Sequence, residues 1–227
     1  MLTKANITID EARGLVADAA LWPAVRDFLW DFAPQVHGSW LEDLDMGKAF
    51  RPSDLHLSMK SSPRVKCFIL AQLGIESCFH QFPKDDWSRL LLLDGATLES
   101  VVKWLGALAC ADGLRRVTDG AKVRELKAAL PGVYPEVFGY TMYFKGVDFQ
   151  CGDAEIQSGL EGISSIGFYA LLSLLADVPP SLVSRLKFKL PRKLCASEPL
   201  HFEAKTCGKV VAKLLKLKFQ EAYKLCC

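Results

Sequence analysis

The sequence predicts a mainly α-helical, compact single-domain bundle of several helices that spans residues 1–227. Three observations lead to this prediction. Half of the residues are hydrophobic and 24% are charged, values that are typical of a globular domain. Apolar residues recur at helical spacing along most of the chain, and residues that start helices repeatedly precede these runs. A chain of this length can bury about 70% of its unfolded surface, so we expect one continuous core.

Helix-start signals recur along the chain. Glu follows a Ser or Thr by three residues in three capping boxes, which are Thr8/Glu11, Ser39/Glu42 and Ser158/Glu161. Pro23 suits a first helical turn, and the helix after it presents one apolar face, made of Val25, Phe28, Leu29 and Phe32.

Two further helices precede the middle of the chain. One starts at Ser62 and Pro63 and ends at Gly74, a residue suited to a C-terminal cap. Its expected inward face consists of Val65, Phe68 and Ile69. Another short helix is expected over residues 86–93.

The most apolar stretch predicts the centre of the fold. A helix from about Thr97 to Ala111 has apolar side chains on most of its circumference, namely Leu98, Val101, Val102, Trp104, Leu105, Leu108, Ala109 and Cys110. Other elements surround such a helix, so we place Trp104, Leu105 and Leu108 in the core. Asp119 then caps a helix over Gly120–Leu130, which a Pro-Gly pair ends.

The segment Val133–Phe144 has two interpretations. Pro135 suits a first helical turn, whereas the density of aromatic and β-branched residues suits a strand. The sequence is therefore compatible with a helix here and with a minor β element near residues 133–150. After a glycine-containing loop, a long apolar helix is predicted to end before Pro179 and to contain Leu160, Ile163, Leu171, Leu174 and Leu175.

The C-terminal region is basic and helical. A short helix is predicted over Ser181–Leu190, followed by an amphipathic helix at about residues 204–225. The apolar stripe of that last helix is Cys207, Val210, Val211, Leu214 and Leu215. Residues 1–180 carry 17 basic and 23 acidic side chains, and residues 181–227 carry 11 and 3, which gives charges of −6 and +8. This asymmetry indicates either a binding surface or a tail that lies against its own acidic body.

Composition argues against several classes of protein. Charged residues interrupt every apolar stretch before the roughly 20 residues that a membrane-spanning helix needs. The N-terminus lacks the features of a secretory signal, so we expect a cytoplasmic protein without a membrane span. The eight cysteines include no CxxC pair and are expected to be free thiols.

The nucleotide-binding motif in the chain is incomplete. Gly162–Gly167 has the glycine spacing of a phosphate-binding loop, but Phe168 and Tyr169 stand where that loop needs Lys and Ser or Thr. The dinucleotide pattern GxGxxG and the zinc-protease pattern HExxH are absent from the sequence. We therefore expect no cofactor.

Cysteine and histidine chemistry is weakly supported. Cys78 and His80 resemble a thiolate pair, yet side chains two residues apart on a helix point away from each other. Together with Cys67 and Cys110 they also lack metal-ligand spacing. We predict no catalytic residue and no metal site, and keep a cysteine-dependent hydrolase using Cys78 and His80 as an alternative function.

Two sets of cations are the candidate partner-binding residues. The first is Arg115, Arg116, Lys122 and Arg124, although the two adjacent arginines also suit the C-terminus of a helix. The second set, on the last helix, is Lys209, Lys213 and Lys216. For this basic face we favour contact with acidic protein over docking on a membrane surface. A nucleic-acid-binding module comes last, because no base-stacking aromatic motif accompanies the lysines.

The stretch Leu90–Phe144 resembles the central part of the YscK/SctK family of bacterial type III secretion systems. The matching pieces are LLLLDG, WLGALACA, LRRV and ALPGVYPEVF, and the stretch is about a quarter of the chain. The resemblance implies an accessory subunit of the cytosolic sorting platform, without known enzymatic activity. It also implies a protein of the bacterial cytoplasm that docks peripherally on the cytoplasmic face of the injectisome.

The same resemblance implies particular partners. Family members join the forkhead-associated-like cytoplasmic domain of the inner-membrane ring protein to the scaffold subunit of each platform pod. Through that scaffold they connect indirectly to the stator and the secretion ATPase. The implied function is that of a non-enzymatic adaptor, whose work is to bind two neighbours. The resemblance supplies no site residue, so the partner-binding candidates rest on charge alone.

Overall fold

A computed structural model of the chain describes residues 19–42, 44, 62–75, 82, 86–144, 159–195 and 202–226. Within these ranges the regular structure is helical throughout, which confirms the mainly α prediction. The α-helices are α1 (Trp22–Leu29), α2 (Gly38–Leu41), α3 (Pro63–Gln72), α4 (Gly95–Ala109), α5 (Ala111–Arg116), α6 (Gly120–Ala129), α7 (Val133–Tyr140), α8 (Gly159–Ser173), α9 (Pro180–Lys189), α10 (Ala204–Lys218) and α11 (Gln220–Cys226). Short 3₁₀ helices cover Ala19–Leu21, Ala33–Gln35, Asp86–Leu92, Thr141–Phe144 and Arg192–Cys195.

Of the three predicted capping boxes, the described residues test Ser39/Glu42, and there the capping residue is a different one. At α2 the cap is His37, whose Nδ1 accepts a hydrogen bond from the Ser39 amide at 3.1 Å, so Ser39 lies inside the helix and not before it. The His37 imidazole therefore satisfies one of the free amides in the first turn of the helix. The Thr8/Glu11 box and Ser158 lie outside the described residues.

Helix α3 begins and ends as its sequence indicates, but its faces differ from the prediction. The Ser62 hydroxyl accepts from the Val65 amide, and Gly74 ends the helix with φ of +66°. Ile69 is fully buried, whereas Phe68 is 42% exposed and does not face the core. Residues next to each other on a helix point about 100° apart, so a short helix on the outside of the core buries only one of the two.

Helix α4 is the central element. It begins at Gly95, two residues before the predicted start at Thr97. Asp94 caps it by accepting a hydrogen bond from the Thr97 amide at 2.9 Å. Trp104, Leu105 and Leu108 are all buried, and the helix is apolar on most sides. It ends at Ala109, and the chain turns at Cys110 into the separate helix α5.

Helices α4 and α8 cross with their backbones in direct contact. A Cβ built on Gly106 would overlap the carbonyl oxygen of Ile163, and one on Gly167 would overlap the carbonyl oxygen of Val102. These reciprocal pairs show that α4 and α8 run antiparallel with their backbones touching. Gly167, the last glycine of the sequence that resembles a phosphate-binding loop, is therefore a packing residue within a helix.

The segment Val133–Phe144 is helical, so the strand alternative is wrong for these residues. Gly132, with φ of +74°, ends the preceding helix and lets α7 begin. Val137 is buried, and the Tyr140 ring packs edge-on against Trp104 at 5.3 Å between centroids. Val137 and Tyr140 are three residues apart, the helical spacing that turns both side chains towards α4. Residues 145–150 lie outside the described residues.

Helix α9 brings two buried cations to the carbonyl ends of other helices. Arg185, 1% exposed, donates to the carbonyl oxygens of Phe28 and Leu29 at 2.5 and 2.8 Å, at the C-terminus of α1. Lys189, 2% exposed, donates to those of Leu91 and Leu93 at 2.6 and 2.9 Å. Carbonyl groups at a helix end lack partners within the helix, so these cations cap them.

The last predicted helix is divided in two. Its apolar stripe is buried as predicted, but the helix stops at Lys218 and α11 follows from Gln220. Phe219, between them, has φ of −129° and ψ of 62° and leaves the helical region. The break lets α11 turn onto the 3₁₀ helix Asp86–Leu92, where Arg89 donates to the Leu225 carbonyl oxygen at 3.2 Å.

Gly106→Ala and Gly167→Ala are each predicted to lower the free energy of unfolding by about 1–3 kcal/mol, because the added methyl forces the two backbones apart. Alanine otherwise favours a helix over glycine by about 1 kcal/mol. Gly139→Ala is the matched control, since a Cβ there meets nothing within 4 Å. Urea unfolding should show a loss for the first two variants and none for the control. Equal effects at all three positions would contradict a tight crossing.

Lys189 is predicted to make stability depend on pH. Burial lowers the pKa of Lys189 from 10.5 to about 7, and the charge of Asp94 opposes that shift. Above pH 7 the unfolded chain therefore binds more protons at this residue than the folded chain does. The free energy of unfolding should rise with pH above 7, by up to about 1.4 kcal/mol per pH unit.

Lys189→Met should reduce this rise, and Lys187→Met, which removes an exposed lysine of the same helix, should leave it intact. Urea unfolding between pH 7 and about 8.5 measures the slope below the ordinary pKa of cysteine. An unchanged slope in the Lys189 variant would show that this ammonium group is not the source.

Candidate partner-binding surfaces

The described residues do not assemble a familiar catalytic or metal site. Within these ranges no three His, Cys, Asp or Glu side chains are placed to hold a metal ion. Burial raises the pKa of Cys195 to about 11 and also raises that of Cys207, so both thiols stay protonated at neutral pH. Cys78 and His80 lie outside the described residues.

Helix α10 presents a face of lysines while its apolar stripe is buried. The side chains of Lys209, Lys213 and Lys216 are exposed at intervals of four and three residues, which places them on one face. The stripe underneath packs against α4 and α8. We call these three residues the lysine face. Its helix is part of the body of the protein, so the basic region is not a separate tail.

One residue of the lysine face also contacts the body. The Lys213 ammonium donates to the carbonyl oxygen of Tyr143 and lies 5.7 Å from the centre of the Phe144 ring. A cation above an aromatic ring is attracted to its negative face. Lys213 therefore holds the 3₁₀ turn Thr141–Phe144 from one side.

Arg115 holds the start of the same turn. Its guanidinium donates to Thr141 Oγ1 at 2.5 Å and to the Phe138 carbonyl oxygen at 3.3 Å, and lies 5.7 Å from the centre of the Phe138 ring. It also pairs with Asp112 at 3.0 Å. The structure thus brings Arg115 and Lys213, from the two predicted sets, to the start and the end of one turn.

The other cations of the first set are placed differently. Arg116 is exposed, and its Nε donates to the Asp112 carbonyl oxygen at 3.4 Å. Arg124 is exposed and Lys122 half-buried on α6, a helix that packs against α7 and α8. Arg124 is therefore exposed to a partner, Arg116 is exposed but already hydrogen-bonded, and Arg115 has a structural role as well.

Lys218 is a residue that the sequence analysis did not single out. Its ammonium pairs with Glu136 and lies 5.0 Å from the Trp104 ring centre and 4.7 Å from that of Tyr140. The hydrogen bond to Glu136 raises the pKa of Lys218. This lysine attaches the end of α10 to α4 and α7. Helical spacing gave no hint of this role, because it depends on which helices are neighbours.

Two large apolar side chains project from the turn between Arg115 and Lys213. Met142 is 62% exposed and Tyr143 is 48% exposed, the highest values among the large hydrophobic residues of the described structure. The sequence analysis missed them because an apolar pattern does not distinguish a buried residue from one at the surface. The Tyr143 ring lies 5.9 Å from that of Tyr140, centre to centre.

A groove lies beside the junction of α10 and α11. It has a volume of about 720 Å³ and mixes apolar and charged side chains, among them Leu92, Asp94, Leu217, Lys218, Phe219, Glu221 and Leu225. Hydrogen bonding to Thr97 holds the pKa of Asp94 below its usual value, against the opposing effect of burial.

No helix in the described ranges is long and apolar enough to cross a membrane.

Comparison with known proteins gives a match to a protein family. Residues 29–133 match the model of the family described as YOP proteins translocation protein K (YscK). No curated protein and no solved structure matches the chain. The family match includes α4, α5 and α6 and overlaps the stretch whose sequence resembles that family, from Leu90 to Val133. The match covers a little under half of the chain and supports a type III secretion protein of the YscK family.

Proposed function

We propose that the chain is a non-enzymatic adaptor of the type III secretion sorting platform. In this role it links the forkhead-associated-like cytoplasmic domain of the inner-membrane ring protein to the scaffold subunit of the pod. Family membership supports the secretion system as the setting. An adaptor needs binding surfaces that are held in fixed relation, and it needs no reacting groups.

The lysine face of α10 is the observation on which the proposal depends most. Lys209 and Lys216 are exposed, while the stripe beneath them is buried between helices. Such a surface attracts an acidic partner and speeds its association. Because α10 is packed on the body, little chain entropy is lost when the partner binds.

The same geometry argues against the other partners considered for this helix. The stripe that would enter a membrane surface is already covered by the body of the protein. Lys213 and Lys218 are engaged with Tyr143 and Glu136, which leaves fewer cations for the several phosphates that a nucleic acid presents along one face. A protein partner needs neither feature.

The double variant Lys209→Glu/Lys216→Glu is predicted to lower recovery of the ring protein and the scaffold subunit about tenfold. Two reversed surface charges at up to ~1 kcal/mol each are enough for that effect. The measurement is co-purification of the tagged chain from cells that make the secretion system, with both partners quantified by mass spectrometry. Thermal unfolding should be nearly unchanged, because both residues are exposed.

The matched control is Lys127→Glu/Lys187→Glu, which changes the net charge equally at exposed positions on α6 and α9. Full recovery with the control and loss with the α10 variant support the proposal. Undiminished recovery with the α10 variant would remove the lysine face from the interface. Failure of the unaltered chain to recover either partner would overturn the adaptor role.

A further inference from the structure

The 3₁₀ turn Thr141–Phe144 carries the most exposed apolar pair of the described structure. Met142 and Tyr143 are adjacent, and more than half of Met142 is in contact with solvent. Large apolar side chains at a protein surface are costly to leave in water, and Met and Tyr are both enriched in protein interfaces. We call this pair the apolar knob.

The knob is mounted on a turn that is fixed on both sides. Arg115 bonds Thr141 and the Phe138 carbonyl oxygen, and the Thr141 hydroxyl itself donates to that carbonyl oxygen at 2.8 Å. Nearer the end of the turn, Lys213 bonds the Tyr143 carbonyl oxygen. Four interactions from two other helices and the turn itself thus set the position of Met142 before any partner arrives.

Tyr140 connects the turn to the core. Its ring packs edge-on against Trp104 and stacks near Tyr143, and the Lys218 ammonium lies over it. An apolar side chain presented by a rigid scaffold contributes more to affinity than a mobile one, because less conformational entropy is lost on binding.

The rim of the knob is positively charged. Arg115 and Lys213 flank it directly, and Lys209 and Lys216 continue along α10. Asp112 pairs with Arg115 and offsets its charge, and Glu136 pairs with Lys218 outside the rim, so the excess positive charge comes from Lys209, Lys213 and Lys216. The field around Met142 and Tyr143 therefore favours an anionic partner.

We infer that the apolar knob is the anchor of a protein interface, and that its partner is an acidic segment carrying a large apolar side chain. Met142 and Tyr143 contact that side chain, while the rim pairs with the Asp or Glu residues around it. The inference rests on the proposed function only in requiring a protein partner. It adds that this partner is acidic and apolar at the contact, and that Met142 and Tyr143 are the residues it contacts.

An anionic membrane is the competing occupant, and the structure favours it less. Interfacial binding requires a long apolar face lying flat in the membrane, whereas the knob is two residues on a tight turn. The long apolar face beside it, on α10, is buried. A short projecting pair fits a recess or groove in a protein.

The test follows the Met142 methyl group by NMR during titration with defined peptides. The chain has four methionines, so its labelled methyl spectrum is simple, and Met142→Leu assigns the signal. The first peptide is a short run of Glu and Asp around one Leu-Phe pair. The second replaces Leu-Phe with Ala-Ala, and the third replaces every acidic residue with Lys.

We expect the acidic Leu-Phe peptide to shift the Met142 signal, with an affinity at least about tenfold above that of the Ala-Ala peptide. Added salt should weaken the binding, and the basic peptide should cause no shift. Met142→Ser/Tyr143→Ser should weaken binding by a similar factor, measured by anisotropy of the labelled peptide. Phe68→Ser, which alters an exposed phenylalanine on α3, is the matched control and should bind normally.

An unshifted Met142 signal with the acidic Leu-Phe peptide, or an equal shift with the basic one, would overturn the inference. So would a shift caused by phosphatidylserine-containing vesicles when the peptide has no effect, which would identify a membrane site.

Co-purification separates this inference from the proposed function. If Met142→Ser/Tyr143→Ser recovers the ring protein and scaffold as fully as the unaltered chain, the knob is not the anchor and the adaptor role stands. If the unaltered chain recovers neither, the proposed function fails whatever the peptides do.

Discussion

The contact between the backbones of α4 and α8 determines where the other elements lie. Gly106 and Gly167 place a hydrogen where any other residue has a carbon, and the carbonyl groups of Ile163 and Val102 fill the space. Helix α7 packs on α4, and α10 packs on both α4 and α8. A change in the distance between α4 and α8 would therefore move α7 relative to α10. The turn Thr141–Phe144 spans those two helices and depends directly on their separation.

The cations of the C-terminal region serve three distinct purposes, which a net charge of +8 over residues 181–227 does not reveal. Arg185 and Lys189 are buried and cap the carbonyl ends of elements near the N-terminal half of the chain. Lys213 and Lys218 attach α10 to the aromatic residues beside α4. Lys209 and Lys216 remain at the surface, where they can pair with the carboxylates of a partner. The charge asymmetry is thus partly a property of the fold and partly one of its binding surface.

Helical periodicity predicted most of the described helices, because burial of one apolar face is a local property of sequence. Prediction failed where contacts with neighbouring helices decide the secondary structure or the burial of a residue. The aromatic residues of Val133–Phe144 suit either a strand or a helix until α4 is beside them, and Phe68 differs from Ile69 only in which side of α3 meets the core. The break at Phe219 follows from the docking of α11. For the candidate site, sequence identified the lysine face but not Met142, Tyr143 or Lys218, whose roles arise from contacts between distant segments.

The central claim is that the lysine face and the apolar knob are rigidly joined to the α4–α8 crossing. Native-state hydrogen exchange tests this most directly, because it gives an opening free energy for each hydrogen-bonded amide. We expect the amides of α7 and α10 to open with nearly the same free energy as those of α4 and α8. Exchange of α10 or α7 through a much lower opening free energy, while α4 and α8 stay protected, would contradict it.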